Sequence, residues 1–104
     1  MNVNEYGNMT SEQVTEKRTL EMAIERYGIE AQTKMLLEEM AELQKEICKF
    51  WRGKDNVVDI ADEVADVEIM LEQAKMIFGI ADEVTRHRRM KVDRLAERIK
   101  ESGR

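Results

Sequence analysis

The chain has no proline, five glycines, one cysteine, one histidine and only 5% aromatic residues among its 104 positions. With so few turn formers and so few β-favouring aromatics, a sheet with many hairpins has little to be built from. The lone cysteine, Cys48, excludes an intrachain disulfide, and no Cys/His cluster exists to hold zinc. Cys48 is expected to be a small buried residue on a helix. No apolar run approaches the roughly 20 residues that span a bilayer. The first ten residues are polar and lack the apolar stretch of a signal peptide, so a soluble, cytoplasmic protein without a membrane partner is expected.

What is abundant is charge, at 38% of residues, together with Met, Leu, Ala, Glu and Lys, all good helix formers. The net charge of -5 is unevenly divided. Residues 1–84 carry nine Lys/Arg against nineteen Asp/Glu, or -10, while 85–104 carry eight against three, or +5. A basic end folding back on an acidic, metal-loaded site would suit a phosphate-bearing partner; a solvated basic helix end explains the same count. A chain of this length fits one domain with a modest core, which another subunit would supplement.

The pattern divides the chain into a polar tail at 1–10 and one helical domain at 11–104. Thr10 to Gln13 can form a capping box ahead of Leu20, Ala23, Ile24 and Tyr27 at helical spacing, and Gly28 stops this first helix. A second helix runs from about Glu30 to Trp51 with the stripe Leu36, Met40, Leu43, Ile47 and Phe50, closed by Gly53 and Lys54-Asp55-Asn56. The third shows the cleanest repeat: Val57, Ile60, Val64, Val67, Leu71, Ala74 and Phe78. It should be the central helix, ended by Gly79. Asp82 can cap a fourth helix whose apolar face, Val84, Val92, Leu95 and Ile99, is less regular and whose end should fray at Ser102-Gly103. The expected fold is therefore all-α, an antiparallel bundle of about four helices completed by oligomerisation, a homodimer first and a homotetramer second.

The second and third helices repeat one pattern: Glu38-Glu39-Met40-Ala41-Glu42-Leu43 and Asp62-Glu63-Val64-Ala65-Asp66-Val67. At about 100° per residue, measured from Leu36 and Ile60, Glu39 and Glu63 each lie about 60° from the stripe, with Glu42 and Asp66 about 120° away on the same side. Glu38 and Asp62 fall nearly opposite. Acids three apart are helical neighbours, so Glu39 with Glu42 and Glu63 with Asp66 form two carboxylate pairs at the edge of a buried face. If the helices face each other, a cation is the simplest counter-charge, and oxygen-only ligands select a hard ion such as Mg2+, with Mn2+ as a substitute. The plainer reading is that these acids are solvated helix faces or partners of nearby lysines.

Residues 32–73 resemble the MazG-like all-alpha nucleoside triphosphate pyrophosphohydrolases, whose EExxE and later ExxD read here as Glu38-Glu39-x-x-Glu42 and Glu63-x-x-Asp66. The resemblance covers about the middle half of the chain. It implies Mg-dependent cleavage of a (d)NTP substrate between the α and β phosphates, giving (d)NMP and pyrophosphate, in housecleaning of the nucleotide pool. By position, Glu39, Glu42, Glu63 and Asp66 would hold the metal and Glu38 would act as general base or support the ligands. Lys91 and Arg94, in a stretch similar to one that follows ExxD in these enzymes, would contact phosphates, with Lys54 a second choice. Gln32 would face the base and Trp51 stack on it. The Asp-Leu-x-x-His continuation of phosphoribosyl-ATP pyrophosphatases is absent, since Val67-Glu68-Ile69-Met70 follows Asp66.

Other classes fit less well. A di-iron carboxylate bundle needs Glu-x-x-His motifs, and His87 follows Val84 at that spacing. Nucleic-acid binding through Arg86, Arg88, Arg89, Lys91 and Arg94 is opposed by the acidic remainder of the chain. The main alternative is a non-catalytic helical dimer acting as an adaptor, which accounts for the heptads but not for the repeated acid pairs.

Overall fold

The computed structural model describes residues 7–103. The polar tail expected over 1–10 therefore lies outside the described residues save for its last four. Four helices follow in order: α1 (Ser11–Tyr27), α2 (Ile29–Trp51), α3 (Val57–Phe78) and α4 (Ala81–Ser102), with no strand among the described residues. None of these helices is long and apolar enough to cross a membrane.

The helix ends follow from local chemistry. Thr10 caps α1 through a complete capping box: Gln13 N donates to Thr10 Oγ1 at 3.1 Å and Thr10 N donates to Gln13 Oε1 at 2.9 Å. Gly28 (φ 91°) is the single residue between α1 and α2, so both helix ends turn on a backbone conformation that a side chain would strain. Gly79 closes α3 in the left-handed region, φ 63° and ψ 38°, while Ile80 N donates to Lys75 O. Asp82 does not cap α4 as expected. The helix starts two residues earlier, with Ile80 at the cap position, and Asp82 lies in the first turn beside Glu83, where negative charge suits the helix dipole.

α3 is the central helix, as its pattern suggests: it packs mainly on α2 and also touches α1 and α4, and α1 rests on both α2 and α3. The hydrogen bonds Gln32–Gln73 and Asn56–Glu46 join opposite ends of α2 and α3, which fixes this pair as antiparallel. α4 does not complete a bundle within the chain. It touches α3 alone, and from Thr85 to Ser102 every residue is exposed.

The core is thin, with Met70 the one buried apolar residue among those described. The faces that pack also differ from the apolar stripes. On α2 the half-buried or buried line is Gln32, Leu36, Glu39, Leu43 and Glu46, while Met40, Ile47 and Phe50 are exposed. On α3 it is Asn56, Ile60, Glu63, Val67, Met70 and Gln73, while Val57, Val64, Leu71 and Phe78, each seven residues from the next, face outward. Cys48 is exposed rather than buried, because it lies off this inward line of α2.

Candidate metal centre

Gln32, Glu39 and Glu46 are seven residues apart, which is two turns of helix, so all three lie on the line of α2 that meets α3. Each meets a polar residue across the seam. At one end Gln32 Nε2 donates to Gln73 Oε1 at 2.7 Å, both side chains being buried. At the other, the buried Asn56 uses its Nδ2 to donate to Glu46 O at 2.9 Å and Glu46 Oε1 at 2.8 Å. Lys49 Nζ adds a 3.1 Å ion pair to Glu46 Oε2. These contacts hold the Glu46 carboxyl below its usual range, Asn56 first and Lys49 second. Both ends of the seam are thus polar and joined by hydrogen bonds, with Asn56 Oδ1 alone left buried without a partner there.

The middle is polar and not satisfied. Glu39 from α2 and Glu63 and Asp66 from α3, all half-buried, place one carboxylate oxygen each within 4.8 Å of one another. The ion pairs seen among the described residues, Arg18–Glu21, Lys34–Glu30, Lys49–Glu46 and Lys75–Glu72, all lie elsewhere. Glu63 Oε2 is buried and accepts no hydrogen bond. The Glu39 carboxyl is pushed above its ordinary range by a side-chain hydrogen bond shared with Asp66, then by desolvation, then by the charges of Asp66, Glu63 and Glu42. Glu63 is pushed the same way, by desolvation first and then by Asp66, Glu42, Asp62 and Glu46. Three carboxylates drawn together with a raised proton affinity attract either protons or a cation. An all-oxygen donor set with one orphaned buried oxygen fits a hard divalent ion.

Three of the four acids singled out in the sequence as ligands are therefore brought together. The fourth, Glu42, is exposed and stands outside the trio, although its charge acts on both Glu39 and Glu63. Glu38 is exposed on α2. Gln32 is buried one heptad from Glu39 with its amide engaged by Gln73. Trp51 is 81% exposed at the end of α2, and Lys54 is exposed in the following turn, where its charge helps to lower the Glu46 pKa. Lys91 and Arg94 are exposed on α4, away from α2.

The sequence reading gave Gln73 no role and Asn56 only that of closing the second helix. Both sit one face-turn from the acids of α3, and the signal that could have found them is the heptad spacing of polar residues within an otherwise apolar helix pair. A cleft of about 620 Å3 lies away from the acids between the start of α1, the end of α3 and the start of α4, lined by Gln13, Lys17, Leu20, Lys75, Met76 and Asp82 among others. No family model, no curated protein and no solved structure matches this chain.

Proposed function

We propose that this chain is a magnesium-dependent nucleoside triphosphate pyrophosphohydrolase that cleaves (d)NTPs to (d)NMP and pyrophosphate, with its metal held at the α2–α3 seam. The observation that carries the reading is the meeting of Glu39, Glu63 and Asp66 from two helices, with their oxygens within 4.8 Å and Glu63 Oε2 unpartnered. The similarity of the EExxE and ExxD motifs to the MazG-like enzymes supports the choice of reaction.

In this reading Glu39, Glu63 and Asp66 hold Mg2+ or Mn2+, with Glu42 one turn from Glu39 as the fourth ligand. Bound there, the ion supplies neutralisation of the triphosphate charge and a lowered pKa for water. The rest falls to the chain. Gln32–Gln73 and Asn56–Glu46 pin the seam on both sides of the acids and fix the distance between the two ligand-bearing helices. Glu38 is the candidate base, and Lys54, Lys91 and Arg94 are the candidate phosphate contacts, with Trp51 exposed and able to stack on a base.

The test is pyrophosphate release from a panel of ribo- and deoxyribonucleoside triphosphates with magnesium, with EDTA, and with Glu63→Gln plus Asp66→Asn. The reading expects metal-dependent pyrophosphate lost in the double variant. No pyrophosphate from any nucleotide by a folded chain would leave the adaptor reading, which the exposed apolar residues Val57, Val64, Leu71 and Phe78 favour.

A further inference from the structure

Glu46 differs from the other acids of the α2–α3 seam in being held by an amide and an ammonium group. Asn56 Nδ2 donates to Oε1 at 2.8 Å, Lys49 Nζ pairs with Oε2 at 3.1 Å, and the Glu46 side chain is 12% exposed. The amide is diverted from another task. Asparagine at the start of a helix ordinarily caps it, yet Asn56 occupies the cap position of α3 and makes no side-chain cap bond there. Its Nδ2 goes instead to the carboxylate and the carbonyl of Glu46, from a position that is buried. Both donors favour the ionised carboxylate, so Glu46 is a largely covered group that stays charged.

That charge lies beside the acid trio. Glu46 is seven residues from Glu39 on the line of α2 that meets α3, a rise of about 10 Å. Across the seam, Asn56 is seven residues from Glu63 on the packing line of α3. The Glu46 charge reaches Glu63, whose carboxyl is pushed up by desolvation first and then by Asp66, Glu42, Asp62 and Glu46. Asn56 Oδ1 and Glu63 Oε2, on that one line, are both buried acceptors without a donor among the described residues. Lys49, the cation of this rung, lies almost one turn further from Glu39 along α2 than Glu46 does. The end of the seam nearest the trio therefore adds negative potential to it.

We propose that Glu46 is an outer charge of the metal centre: fixed by Asn56, it draws a divalent cation to Glu39, Glu63 and Asp66 through space, without touching it. The inference rests on the metal reading and adds to it a residue that the EExxE and ExxD motifs do not contain. At about 10 Å in low salt, one carboxylate charge acting on a divalent ion changes its affinity roughly threefold to tenfold. A merely structural Glu46 would act through its contacts, and the two roles differ in sign at Lys49. Breaking the Lys49–Glu46 pair from either end removes the same contact, but Glu46→Gln removes a negative charge and Lys49→Gln a positive one.

The test is calorimetric titration of Mg2+ into the metal-free full chain at neutral pH, in low and in molar salt, for wild type, Glu46→Gln and Lys49→Gln. Helical circular dichroism of each protein is recorded alongside. Glu46→Gln can still accept from Asn56, and should weaken Mg2+ binding roughly threefold to tenfold in low salt, with the difference shrinking in molar salt. Lys49→Gln should tighten binding about twofold in low salt, its charge being more distant. A folded Glu46→Gln chain that binds Mg2+ like wild type overturns the proposal and leaves the metal reading standing. So does a Glu46→Gln deficit that persists unchanged in molar salt, or a Lys49→Gln chain whose binding is unchanged or weaker. If Glu46→Gln does not fold, the Lys49→Gln titration decides by its sign. A folded wild-type chain that binds no Mg2+ removes the metal reading and this inference together.

Discussion

Gln32 and Gln73, forty-one positions apart, meet in a buried 2.7 Å hydrogen bond at one end of the α2–α3 seam. Seven residues along α2, Glu39 occupies the equivalent place opposite Asp66, and seven further on Glu46 faces Asn56. The seam is a ladder of polar layers separated by Leu36, Leu43, Met70 and Ile60. Its outer rungs are neutral or paired, and its middle rung is a repelling set of acids. This arrangement gives each rung a different expected response to mutation.

For the glutamine rung, Gln32→Ala leaves the Gln73 amide buried without its partner and should cost about 1–3 kcal/mol. Replacing both by Leu removes the unmet polar groups together and should cost far less than the sum of the two single changes. Chemical denaturation at one fixed protein concentration reads both, because an oligomer's apparent stability depends on concentration.

For the asparagine rung, Asn56→Ala removes the largest influence holding the Glu46 carboxyl low. A depressed folded-state pKa contributes stability above the unfolded value, and that stability is lost as pH falls through the folded value. The variant should therefore be destabilised most near neutral pH and approach wild type in acid. Thermal melts across the carboxylate range, together with the NMR titration of Glu46, check this.

At the central rung the sign reverses. The raised folded-state pKa values of Glu39 and Glu63 mean that repulsion is absent below the ordinary carboxylate range and fully present above the raised values. In EDTA the wild-type chain should lose stability as pH rises through that window. Glu39→Gln or Glu63→Gln should flatten the loss and raise the neutral-pH melting temperature, with a smaller effect from Glu42→Gln, which is exposed. Lower stability of the Glu63→Gln chain in EDTA would show that the acids are not a repelling cluster.

The helices themselves were legible in the sequence, because their ends are set by local chemistry. Thr10 with Gln13 makes its capping box, and Gly28 and Gly79 stop their helices where the sequence placed the stops. Less legible was the face each helix turns to its neighbour. Hydrophobic periodicity records every surface removed from water without saying which partner removes it. Met40 and Ile47, and the heptad line Val57, Val64, Leu71 and Phe78, therefore read as intrachain core, yet they are exposed in the single chain. The intrachain seam is rotated towards the acids, and this rotation turns Glu39 and Glu63 from flanking residues into half-buried ones. Cys48 misled for a similar reason: small and apolar, it nonetheless lies off the packing line.

The site was legible in part. The twinned pattern around Glu39 and Glu63 placed three acids that do meet, because residues three apart share a helix face and the two helices are antiparallel. The polar rungs on both sides were missed, since only the heptad spacing of their polar residues marks them in the sequence, and Gln73 and Asn56 gain their roles from partners forty-one and ten positions away. The basic end of α4 was open to two readings, folded back on an acidic site or solvated, and in the single chain the helix touches α3 alone and is exposed from Thr85 to Ser102.

The most direct test of the central claim is a calorimetric titration of Mg2+, repeated with Mn2+, into the metal-free chain and into Glu63→Gln at neutral pH. The account expects saturable binding to the wild type, accompanied by proton release and a rise in melting temperature, both lost in Glu63→Gln. Equal titrations for the two proteins, or no binding by a wild-type chain that is folded, would contradict a metal site at the α2–α3 seam.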